Sequence, residues 1–122
     1  MEKLIIKIPK KKIIIEVAES DYSEEITWHE ISKIISEKGK GWRLPDVNEL
    51  EIIFQTVQKL NTHNFKFECY WSSSEFYSNF QYFQTTYVIS FIAYYYNFPK
   101  KYSNYIVKSK KNAIRLVKTI NN

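Results

Sequence analysis

"GKGWRLPDVNELE", residues 39 to 51, contains the only two glycines of the chain and one of its three prolines. Turn-forming residues gather there because two helices meet there. Upstream, "ITWHEISKIISEKG" places Thr27 and Glu30 at the spacing of a capping box, with Ile26 positioned to staple onto Ile31. Trp28, Ile31, Ile34 and Ile35 share one helical face, and Gly39 is expected as a left-handed cap. Downstream, Asp46 and Glu49 repeat the capping pattern, and Leu50, Ile53, Phe54 and Val57 form the apolar stripe of a second helix. Pro45 restricts Leu44 to an extended conformation. The connector therefore enters the second helix from a straight segment in which Trp42 and Leu44, two apart, both face the core. Arg43 lies between them and is expected to pair with Glu49 or with a carbonyl, tying the connector to the second helix.

Outward from this clasp the pattern changes to strands. "LIIKI" (4–8) and "IIIEV" (13–17) are rich in β-branched residues, and "PKKK" between them predicts a hairpin turn whose lysines keep the edge soluble. After the second helix, "CYWSSSE" (69–75), "TTYVISFIAYYY" (85–96) and "NAIRLVKTI" (112–120) read as three β segments, with "NFPKK" (97–101) as a turn. A hairpin, two helices and then strands is an α+β order, without a repeating βαβ unit. At 122 residues and 44% apolar, the chain reads as a single domain, 1–122, with a core of its own. Charges interrupt the apolar run at the N-terminus, so neither a signal peptide nor a membrane span is expected; with Met1 as the natural start, the expected compartment is the cytoplasm. The single cysteine, Cys69, fits a reducing compartment and reads as a small buried apolar residue.

Charge is unevenly distributed. Residues through Glu75 carry a balance of −2, whereas from Phe76 onward there are seven basic residues and no acidic one. Aromatics crowd the same part: nine Tyr, five Phe and Trp71 lie between Tyr70 and Tyr105. Lysines among aromatic rings suit a polyanion, which needs neutralising charge and stacking platforms, and equally suit burial of the rings in the core.

Four stretches, "TWHEI", "GWRLPDVNELE", "YWSSSE" and "AIRLVK", occur in that order over residues 27–119, and together they resemble the bacterial DUF1566 family. Trp42, Arg43, Leu44, Pro45, Tyr70 and Trp71 carry most of the likeness. The resemblance implies a C-type-lectin-like fold, akin also to formylglycine-generating enzymes, with N- and C-terminal strands near each other and a loop-rich ligand face. The chain departs from the family pattern in having no glycine after Gly41 and in carrying Lys118 where a second arginine is usual. One cysteine cannot supply the pair that formylglycine-generating chemistry needs. A lectin-type calcium site in the late loops would need carboxylates, and none follows Glu75.

Other chemistries find little support in the residue pattern. Ser72, Ser73 and Ser74 lack a nucleophile elbow, and the histidines, His29 and His63, read as solvated surface residues. Two distant histidines and one cysteine do not make a zinc set, so no metal, no other cofactor and no catalytic residue is expected. The reading is a non-enzymatic recognition module, as would suit a small accessory or inhibitory protein that docks on a partner with an acidic surface. Its ligand-binding residues are expected to be Tyr94, Tyr95, Tyr96, Lys100, Lys101, Tyr102, Tyr105, Lys108, Lys110, Lys111 and Arg115. "EFYSNFQYFQ" and "KKYSNYIVKSKKN" have the Tyr, Ser and Asn content of adaptable recognition surfaces. The alternative is a polyanion-binding module, for RNA, single-stranded DNA or a sulfated glycan, using the acid-free region 76–122.

Overall fold

The computed structural model describes residues 3–60, 64–66, 69–76, 85–90, 103–107 and 111–120. Within these the fold is mixed α+β. A hairpin, β1 (Leu4–Ile8) and β2 (Ile13–Val17), turns through a short 3-10 segment at Pro9–Lys11, with Lys12 left-handed at φ 55. Helix α1 (Ile31–Lys38), the two-residue strand β3 (Trp42–Arg43) and helix α2 (Val47–Leu60) follow; then come β4 (Cys69–Phe76), β5 (Thr85–Ser90), β6 (Ser103–Val107) and β7 (Val117–Thr119).

The strands form two antiparallel sheets. One has the order β1-β2-β7-β3, so the N-terminal hairpin and the C-terminal strand are neighbours, with Val17 opposite Val117. The other is the meander β4-β5-β6. A parallel bridge between Tyr70 and Ala113 fastens β4 to the segment before β7.

Two hydrophobic clusters flank that junction. Alternation along β1 and β2 turns Ile6, Ile8, Ile15 and Val17 inward against Leu50, Ile53, Phe54 and Val57 of α2. The second cluster joins Ile31 and Ile34 of α1 to Ile26, Leu44, Trp71 and Leu116. Adjacent residues serve opposite clusters: Tyr70 and Ala113 face the first, Trp71 and Ile114 the second. That is the period-two alternation of extended chain used to knit two cores. Trp71, fully buried, donates from its indole to the Ile26 carbonyl at 2.7 Å and meets Trp28 edge to face.

Several expectations are refined. Thr27 and Glu30 do bond, with the Thr27 N–H and hydroxyl both donating to Glu30 Oε1 at 2.9 Å, but they open a 3-10 turn at Trp28–Glu30, and α1 starts only at Ile31. Gly39 has φ 118 with ψ 175, so it is not the left-handed cap expected; its N–H closes the helix on Ile35 and the chain leaves in an extended direction. The segment 112–120 is a strand only at Val117–Thr119. Before that it runs beside residues 18–26 through separate backbone bonds, Ala18 to Leu116, Tyr22 to Ile114 and Ile26 to Asn112. β6 was not foreseen as a strand. Cys69 is half-buried against the second cluster. The expected turn at 97–101 and the end of the expected strand 85–96 lie outside the described residues. Among the described residues no helix is long and apolar enough to cross a membrane.

Candidate functional site

The clasp is built as a capped corner. Asp46 Oδ1 accepts the Glu49 N–H at 2.8 Å while Glu49 Oε1 accepts the Asp46 N–H at 2.9 Å, the reciprocal box that the sequence spacing predicts. Arg43 then grips the buried Glu49 with both arms, Nη1 to Oε1 and Nη2 to Oε2 at 2.8 Å each, and its Nη2 also reaches Thr119 Oγ1 at 3.1 Å. Of the two partners open in the sequence, Glu49 is therefore the one used. Lys11, from the hairpin turn, bonds Asp46 and stands 3.5 Å from Glu49. Burial pushes the Glu49 carboxyl up, but the Arg43 guanidinium, the Asp46 N–H and Lys11 outweigh it and hold the group below the usual carboxylate range. β4 is stitched to the same corner, since Ser73 N–H donates to the Pro45 carbonyl and Val47 N–H to Ser74 Oγ. Leu44 and Pro45 are buried; Trp42 is half-buried with Lys38 Nζ 4.6 Å and Lys118 Nζ 5.8 Å from its ring centroid.

A second polar network lies between the two cores. Arg115, placed by the sequence among the charge donors of a ligand face, is instead buried. Its Nε donates to Asp21 Oδ1 at 2.7 Å, Nη1 to the Ala18 carbonyl at 3.0 Å and Nη2 to Asn64 Oδ1 at 2.8 Å, with the guanidinium over the Phe65 ring. The correction has a simple cause: flanking Ile114 and Leu116 are core residues, and the segment runs between two layers. Tyr70 donates to Asp21 Oδ2 at 2.6 Å and accepts the Lys66 N–H at 2.8 Å. Burial, and then its bond to the Asp21 carboxylate, holds the Tyr70 hydroxyl protonated far above the usual phenol range.

Of the remaining expected ligand residues, only Tyr105 and Lys111 fall among the described residues. Tyr94, Tyr95, Tyr96, Lys100, Lys101, Tyr102, Lys108 and Lys110 lie outside the described residues, as does His63. Their anchoring positions are described. Ile89 faces Ser103 at one end of the β5-β6 pair and Thr85 faces Val107 at the other, a separation of about 14 Å for four residue steps. Ile89 and Ser103 thus mark one end of this pair of strands, and Thr85 and Val107 the opposite end. Tyr105 lies in β6 opposite Tyr87, and Lys111 is exposed.

Beside α1, a hollow of about 310 Å³ is bordered by Asp21, Tyr22, Ile34, Glu37 and Lys38. On the other flank of α1 a groove of about 530 Å³ runs along the clasp. Among the described residues no three His, Cys, Asp or Glu side chains converge as a metal site would require. Lys11, Asp21 and Asn64 were not foreseen as network members, and no local pattern marks them, since each reaches its partner across 35 or more residues. No protein-family model and no curated protein matches the chain.

Proposed function

We propose that this chain is a non-enzymatic recognition module that binds a protein partner with an acidic surface through its Tyr-, Ser-, Asn- and Lys-rich C-terminal part. Under this reading it is a DUF1566-like domain with a C-type-lectin-like arrangement; the adjacency of β2 and β7, which brings the N- and C-terminal strands together, is what supports that likeness. The observation that carries the functional reading concerns arginine. The chain has two, Arg43 and Arg115, and both are engaged within the fold by carboxylates. Charge offered to a partner by residues 76–122 therefore comes from lysine, a strongly hydrated point charge without the planar fork that reads phosphates and bases bidentately. Lysine at an interface rim speeds association with an acidic protein, while tyrosines give contact area at low entropy cost.

The polyanion reading rests on the same acid-free sequence, and one comparison separates the two. The wild-type chain and a Tyr94→Ser, Tyr95→Ser, Tyr96→Ser variant are used as baits in intact and nuclease-treated lysates. A protein retained after nuclease treatment and lost from the variant is the expected result. Enrichment that disappears with nuclease, together with binding to single-stranded RNA that weakens steeply with salt, would replace it by the polyanion reading.

A further inference from the structure

We propose that the groove between α1 and the clasp is a binding site for a small organic carboxylate with an aromatic or branched apolar body. Its apolar floor is made by the buried Ile31 and Leu44 with the half-buried Trp28 and Ile35. Exposed His29, Ser32 and Ser73 stand at its margins. Lys11, Arg43 and Asp46 close one end. An apolar lining with a few convergent polar groups, at about 530 Å³, has the composition and size of a small-ligand site.

The closed end selects the charge. Glu49 does not line the groove, and its side chain is 0% exposed, whereas Lys11 is 41%, Arg43 35% and Asp46 25% exposed. The network thus buries Glu49 and leaves Lys11 and Arg43 more exposed than Asp46, the one anion at the groove. Each carboxylate oxygen already accepts at least one bond: both Glu49 oxygens receive Arg43, Oε1 also receives the Asp46 N–H, and the Asp46 oxygens receive the Glu49 N–H and Lys11. Donor capacity remains. Among the described residues, Lys11 keeps a third N–H beyond those directed at Asp46 and Glu49, and Arg43 keeps its Nε–H and one Nη1–H beyond its bonds to Glu49 and Thr119. The most exposed polar groups at this end are therefore donors, which an acceptor-only group such as a carboxylate can engage. Scale argues for a small ligand, because ten lining residues fall short of the roughly 20–30 per side of a stable protein interface.

Titration of the isotopically labelled chain with 3-phenylpropionate, followed by amide NMR, tests the site. Saturable shifts at Ile31, Ser32 and Leu44 are expected, with a Kd in the millimolar range usual for fragments of this size. 3-Phenylpropanamide, which keeps the body and loses the charge, should bind about fivefold to tenfold more weakly. Ser32→Phe, a change at an exposed helix position that fills the groove, should abolish the shifts, and Lys11→Met should reduce affinity to that of the amide; an unchanged amide spectrum elsewhere shows that each variant is folded. Equal affinity for acid and amide, shifts located outside the groove, or no saturation by 20 mM would overturn the assignment. So would a capped Phe-Asp peptide binding more than tenfold tighter than the free acid, which would make the occupant a partner segment.

Discussion

Replacing Arg43 by alanine should be among the most damaging single changes at the surface of this protein, although more than a third of the side chain is exposed. The damage falls on Glu49. With the guanidinium gone, a carboxylate with no exposed surface keeps only the Asp46 N–H at 2.9 Å and Lys11 at 3.5 Å. Breaking a buried ion pair by removing one partner costs about 3–5 kcal/mol. The partial exposure of Arg43 and the nearness of Lys11 argue for the lower end, about 3 kcal/mol, after allowing for solvent screening. With an unfolding entropy of roughly 0.25 kcal/mol/K for 122 residues, that corresponds to a fall in Tm of about 12 °C. Urea unfolding followed by tryptophan fluorescence would measure it. Exchanging Glu49 for Gln in the Arg43→Ala background removes the stranded charge and should restore about 1–2 kcal/mol.

The pH dependence carries an independent sign. In the wild type the Glu49 carboxyl lies below its usual range because Arg43 and its other partners outweigh burial. Its contribution is therefore present above the unfolded carboxyl pKa, about 4.3, and is lost as pH falls through the lower folded value. In Arg43→Ala burial prevails and the folded pKa rises above the unfolded one. That contribution is present at low pH and is lost as pH rises through the folded pKa. The stability gap between the two proteins should therefore narrow as pH is lowered from 7 towards 4. A loss below 1 kcal/mol at pH 7, or a gap that widens on acidification, would refute the account of the clasp as a buried, arginine-compensated charge.

Tyr70→Phe deletes one hydroxyl but leaves Asp21 Oδ2 and the Lys66 N–H without it; a cost of about 1–3 kcal/mol is expected in chemical denaturation, with near-wild-type packing of the ring. Gly39→Ala tests backbone strain alone, because at φ 118 an added Cβ meets nothing within 4 Å. It should lower stability by about 1–3 kcal/mol in thermal unfolding, and no measurable loss would show that the turn relaxes.

Much of residues 4–60 was legible where the interactions are local, but not the 3-10 opening before α1, the backbone of Gly39 or the distant partners of Lys11 and Asp21. The β1 and β2 boundaries, the two carboxylate-capped turns and the apolar stripe of α2 all arise from neighbours within about four residues, where spacing alone specifies geometry. Arg43 to Glu49 spans six residues and was legible as one of two options. Arg115 was not. Its partners Asp21, Ala18 and Asn64 lie 51 to 97 residues away, and a basic residue in an acid-free sequence looks like surface charge until the fold brings a carboxylate to it. β6 was obscured for a related reason: "SNYIV" is polar at its start and sits among lysines, so its strand character depends on pairing with β5 rather than on its own pattern.

The two arginines show how specific bonding and bare charge are divided along this chain. Each binds a carboxylate from another element: Arg43 forks onto Glu49 and holds β3 to α2, and Arg115 bonds Asp21 through Nε while its other arms reach Ala18 and Asn64, holding the pre-β7 segment to the loop after β2. A lysine could neutralise either carboxylate but lacks the rigid planar fork whose spaced donors fix two segments at once. Stability thus draws on arginine where geometry must be specified, and lysine is left for positions where only charge is needed. The groove beside α1 follows from the same arrangement: a network that keeps Glu49 compensated in the interior leaves the Lys11 and Arg43 side chains as its most exposed members, next to the apolar floor.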